Sequence, residues 1–178
     1  MQTIRQYAKS VGMLQHKVNR AYVCKNHIVQ IQHHITTLRE RQKQADAKCI
    51  VYKDKVKAFA PDWSARGLDT VLAADGLIAE GDLQRLLLFV NTHYQEIHQC
   101  GKLDRLAKEI REFEVEKQHC ICDLEDLHDG IMDLLEKTTP VAQALGIDES
   151  LEDYRKCIAN TKEVLAEVAT EPCPLPPQ

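Results

Sequence analysis

Cysteine and histidine are the side chains here best suited to chemistry, and they cluster. The chain holds seven cysteines and eight histidines in 178 residues. Cys24-Lys-Asn-His27 has C-x2-H spacing, and His119-Cys120-Ile-Cys122, with His128 beyond it, forms a second group. Thiolate and imidazole are the donors a tetrahedral zinc ion takes. Cys24, His27, His119 and Cys122 are therefore the candidate metal ligands. The competing reading is packing. Cys24 and Cys120 fall on an apolar stripe, where a free cysteine behaves as a small hydrophobe. A C-x-C pair on a helix also aims its sulfurs about 200° apart, which suits chelation of one ion poorly. Packing is the preferred reading, and no cofactor is expected. A redox role for Cys24 and Cys120 is weaker still, because the surrounding acids raise a thiol pKa rather than lower it.

The carboxylates do not assemble a catalytic pattern. Glu112, Glu114 and Glu116, and Asp123, Glu125 and Asp126, are spaced around a helix rather than along one face. Di-iron bundles need inward Glu-x-x-His pairs, and Glu125 with His128 supplies that spacing once. A P-loop, a dinucleotide glycine motif and a nucleophile elbow are all absent. The chain does not read as an enzyme. His33-His34 among Lys, Arg and Gln suggests phosphate contact, and basic helices bind nucleic acids electrostatically. Yet Tyr7, Tyr22 and Tyr52 are the only aromatics before Phe59, so no base-stacking surface is evident. Trp63, Arg39, Arg41 and Lys43 are the candidate partner-binding residues, Trp63 because exposed tryptophan is favoured at binding hot spots.

These residues must be positioned by helices. Aromatics make up 5% of the chain and there are seven glycines, a composition that disfavours sheets. Ile4, Tyr7, Val11, Leu14, Val18, Ala21, Cys24, Ile28, Ile31, Ile35, Leu38, Gln42, Ala45, Cys49, Tyr52, Val56 and Phe59 follow one another by threes and fours. Such a spacing is a coiled-coil seam, and the two successive threes from Val18 to Cys24 form a stammer. The pattern predicts a helix over 2–59, roughly 80 Å long. Pro61 is expected to end it.

A short helical linker over 60–81 is expected next, with Gly81-Asp82 capping a second long helix over 82–138. Its seam runs through Leu103, Leu106, Ile110, Phe113, Lys117, Cys120, Leu124, Leu127, Ile131, Leu134 and Thr138. Upstream, Leu83, Leu87, Val90, Tyr94 and Ile97 are expected to continue the same seam, with an irregularity at Cys100-Gly101. Pro140 should stop this helix, and Asp148 should cap a third over 148–169, with Leu151, Tyr154, Ile158, Thr161, Leu165 and Val168 on one stripe. Residues 171–178 are proline-rich and are expected to be a disordered tail behind a single domain over 1–170.

Charge divides the chain. Residues 1–58 carry 12 Lys and Arg against three acids, whereas 59–178 carry 11 against 24. Folding the second long helix back on the first, so that facing residue numbers sum to about 142, sets the acid-rich 112–136 beside 6–30. The expected fold is therefore all-α: a long antiparallel coiled-coil hairpin, a short helical linker and a third C-terminal helix.

Two open helices need a cover, which points to a homo-oligomer or hetero-assembly. No run of 18 apolar residues is present, and an odd number of scattered cysteines fits a reducing cytoplasm. The function expected is a non-enzymatic protein–protein interaction module: an adaptor, a structural subunit or a chaperone-like component of an assembly. Nucleic-acid binding by the basic first helix is the alternative, and a metal-binding bundle the second.

Overall fold

The computed structural model describes the backbone of residues 2–64 and 80–169, and the side chains of 3–58 and 83–169. Among them there is no strand. Helix α1 spans Gln2–Ser64, α2 spans Glu80–Ala144, a 3-10 turn covers Asp148–Leu151, and α3 covers Glu152–Ala169. The protein is all-α. No helix among the described residues is long and apolar enough to cross a membrane. Most of the linker expected at 60–81, and the tail at 171–178, lie outside the described residues.

Neither expected proline stop holds. Helix α1 runs past Pro61 to Ser64, and α2 runs through Pro140 to Ala144. Proline at 140 removes one rung and presses on the carbonyl four residues back. Burial beyond it offsets that cost, since Ala142 lies fully inside the core. Thr138 and Thr139 hydroxyls donate to the carbonyls of Leu134 (2.6 Å) and Leu135 (2.7 Å) just before it.

The real stop is Gly146, whose φ of 68° is open to glycine without strain. Its N–H donates to Gln143 O, and that of Ile147 to Ala142 O, each at 3.0 Å. These are the paired bonds of a Schellman ending. Asp148 does not cap the next element as expected; it sits in the first turn and pairs with Arg155 at 2.7 Å. At the other end, α2 starts at Glu80, so the expected cap at Gly81-Asp82 falls inside its first turn.

The chain gathers into two compact units, Met1–His33 with Phe113–Gln178, and His34–Glu112. In the first, the opening half of α1 packs antiparallel to the closing half of α2, and α3 lies against both. Leu14, Val18, Ala21 and Ile28 of α1 meet Ile121, Leu124, Leu127, Ile131 and Leu135 of α2, Leu151 of the 3-10 turn, and Tyr154, Cys157 and Val164 of α3. Each fully buried leucine or isoleucine contributes about 1.5–3 kcal/mol.

Polar ties fix α3 and the turn before it. His128 Nδ1 lies 2.8 Å from Thr161 Oγ1, which itself donates to Ile158 O at 3.0 Å, so the imidazole is the donor to Thr161. Tyr154 donates to Gln15 Oε1 at 3.1 Å, and Tyr7 donates to Ser150, whose own proton goes to Ile147 O. The single Glu-x-x-His spacing is thereby explained, because His128 is a packing residue.

In the second unit, α1 again presents its expected seam. Ile35, Leu38, Ala45 and Cys49 are buried, as are Leu106 and Ile110 of α2. Upstream of Leu103, however, the expected seam is turned outward. Leu87, Tyr94 and Ile97 are 61, 63 and 59% exposed, and Leu83 and Val90 are exposed as well. The half-buried or buried positions there are instead Leu86, Phe89, Thr92, Gln95, Glu96, Gln99 and Cys100. The reason is helical phase. Gly101 breaks nothing, α2 continues through it, and stepping back from Leu103 by threes and fours lands one residue away from the apolar stripe.

Candidate functional site

The candidate site lies in the first unit, where Cys24 and His27 of α1 meet α2. Cys24 Sγ donates to the backbone oxygen of Cys120 at 3.0 Å. Cys120 Sγ lies 3.6 Å from His27 Nδ1, and His27 Nε2 lies 3.3 Å from Glu116 Oε1. Residues 24 and 27 share a face of α1 because they are three apart, and 116 and 120 share one of α2 because they are four apart. The expected register placed Cys24 opposite residue 118; the observed one carries it two residues further, onto Cys120.

Electrostatics keep both thiols protonated. Burial, then Cys120 and Asp123 beside it, pushes Cys24 from 9.0 up to about 11. Burial, Glu116 and Asp123 push Cys120 upward too. A groove of about 420 Å³ opens over the two thiols, lined in part by His16, Arg20 and Asp123. His27 and Glu116 are each about half exposed. Their contact is therefore worth no more than about 1 kcal/mol, and its role is to orient.

The tautomer follows from the partners. A carboxylate accepts hydrogen bonds and does not donate them, so Glu116 favours a proton on His27 Nε2. Nδ1 is then left as an acceptor facing the Cys120 thiol. A carboxylate, an imidazole and a thiol in line make an arrangement that can take a proton from sulfur.

The four candidate zinc ligands named from the sequence are not brought together. Cys24 and His27 reach the site, but His119 and Cys122 are exposed on other faces of α2. Cys122 Sγ instead lies 4.0 Å from Gln118 Nε2 of its own helix. Among the described residues, no three His, Cys, Asp or Glu side chains are gathered as they would be around a metal ion. The residue the sequence reading left out of the quartet is Cys120. Its seam position, shared with Cys24, is the signal for the contact.

The candidate partner-binding residues are scattered. Arg39, Arg41 and Lys43 are exposed along α1, and the side chain of Trp63 lies outside the described residues. The surface feature that sequence reasoning missed is the outward stripe of Leu83, Leu87, Val90, Tyr94 and Ile97. Its heptad spacing was visible, but was assigned to the inner face.

No family model, no curated protein and no solved structure matches the chain.

Proposed function

We propose that the protein is a non-enzymatic helical interaction module, a self-associating adaptor, structural subunit or chaperone-like component of a cytosolic assembly. The observation that carries this reading is the stripe from Leu83 to Ile97, five exposed apolar side chains spaced 4-3-4-3 on one helix face. That spacing is what a second helix needs for coiled-coil packing. A contiguous exposed apolar patch also marks an interaction surface more often than chance.

The partner best suited is a second copy of the same stripe, run antiparallel. Positions flanking the stripe are Gln84, Leu86, Asn91, His93, His98 and Cys100, none of which carries a fixed charge. A second copy therefore meets no like-charge repulsion there, and no charge pattern selects a foreign helix. Free thiols at all six described cysteines fit a reducing compartment.

Light scattering across a concentration series tests the reading. A dimer that Leu87→Glu with Ile97→Glu converts to a folded monomer supports it. A wild-type monomer at every concentration, or a dimer indifferent to both substitutions, refutes it.

A further inference from the structure

The Cys24 thiol lies 3.0 Å from the backbone oxygen of Cys120 across two helices, with the His27 imidazole on the Cys120 thiol and a carboxylate behind the imidazole. We propose that Cys24, Cys120 and His27 form a dithiol site that exchanges with small-molecule disulfides and closes into a bond tying α1 to α2. Cys120 is the attacking sulfur, His27 the base that positions and receives its proton, and Cys24 the resolving thiol.

The chemistry balances without another reactant. His27 Nδ1 takes the proton of Cys120, and the resulting thiolate attacks one sulfur of glutathione disulfide. That S–S bond breaks, and one glutathione leaves with the electron pair and takes up the proton from His27. Cys24 then gives its proton to the same imidazole and attacks Cys120 Sγ. The second glutathione leaves as a thiol once it is reprotonated. Two protein thiols have become one disulfide, and one glutathione disulfide has become two thiols.

Three features of the site fit this use. Attack requires the thiolate, and a thiol held protonated at rest needs a base within reach, which His27 provides at 3.6 Å. The groove over the sulfurs carries a cation, Arg20, and an anion, Asp123, facing a probe that bears charges of both signs. A comparison pair exists in the second unit, where the Cys49 thiol is near enough to raise the pKa of Cys100. Cys49 is buried, and no imidazole is among the groups acting on Cys100 there. Exposed Cys122 is the single-thiol comparison.

The test is peptide mapping by mass spectrometry of the full chain, sampled over time in glutathione disulfide. The expected first product is a Cys24–Cys120 linkage, formed ahead of Cys49–Cys100. With Cys24→Ser, a glutathione adduct should accumulate on Cys120. With His27→Ala, the linkage should form about tenfold more slowly or worse, and added imidazole should restore the rate. Restoration by a small base separates proton transfer from a purely structural role.

First linkage at Cys49–Cys100, a lasting glutathione adduct on Cys120 of the unaltered chain, or a His27→Ala rate that matches wild type would overturn the proposal. The order of linkages is read on the unaltered protein, so a variant that fails to fold does not remove the test.

Discussion

Two stretches of α2 use the same residues in opposite ways. From Leu106 to Ala142 its leucines and isoleucines face inward and meet α1 or α3, and exposed positions are mostly acidic or polar. From Leu83 to Ile97 the apolar stripe faces outward, and the inner positions include Thr92, Glu96 and Gln99. Gln99 Oε1 is buried with no hydrogen-bond partner, a group that costs about 1–3 kcal/mol when left unmatched. Thr92 spends its hydroxyl on Leu88 O at 2.7 Å, within its own helix. The contrast teaches that one stretch buries its apolar face within the chain, whereas the other leaves its apolar face uncovered.

Substitutions on the two faces should separate them. The largest effect belongs to Ile131, fully buried in the first unit. Ile131→Ala should lower stability by about 2–5 kcal/mol, read from urea unfolding. A loss below about 1 kcal/mol would mean that this stretch is no better packed than the other.

Next comes a gain. Gln99→Met replaces the unmatched buried amide with an apolar side chain of similar length, and should stabilise the chain by about 1 kcal/mol in the same measurement. Destabilisation would show that the inner face needs its polarity.

The smallest effect is at the outward stripe. Ile97→Gln should change the stability of the monomer by no more than about 0.5 kcal/mol, while weakening self-association in a sedimentation series. A large loss of monomer stability would place Ile97 inside the fold.

Much of this architecture was legible in the sequence. The three-and-four spacing in α1 named the buried positions from Leu14 through Cys49, stammer included, because a straight helix offers one seam and the apolar residues mark it. Among the described seam residues, Ile4 alone falls clearly outside, being exposed at the end of that seam. In α2 the same spacing misled. An apolar stripe shows that a face exists, but only phase continuity from Leu103 shows which way it points. Neither Pro61 nor Pro140 ends its helix, and at Pro140 the burial of Ala142 further along offsets the lost rung.

The candidate site was half legible. Cys24 and His27 were named, but pairing them with Cys120 and Glu116 depends on a two-residue difference in cross-helix register that spacing does not encode. His119 and Cys122 were chosen for chemical type, and helical rotation carries both away from Cys24.

Hydroxyl-radical footprinting of the dilute monomer tests the central claim most directly. Leu87, Tyr94 and Ile97 should be modified as readily as exposed Val23 and Val115, with Leu106, Ile110 and Leu124 protected. Protection of Leu87, Tyr94 and Ile97 in the monomer, with Leu86 and Phe89 reactive instead, would show the stripe turned inward and contradict the account.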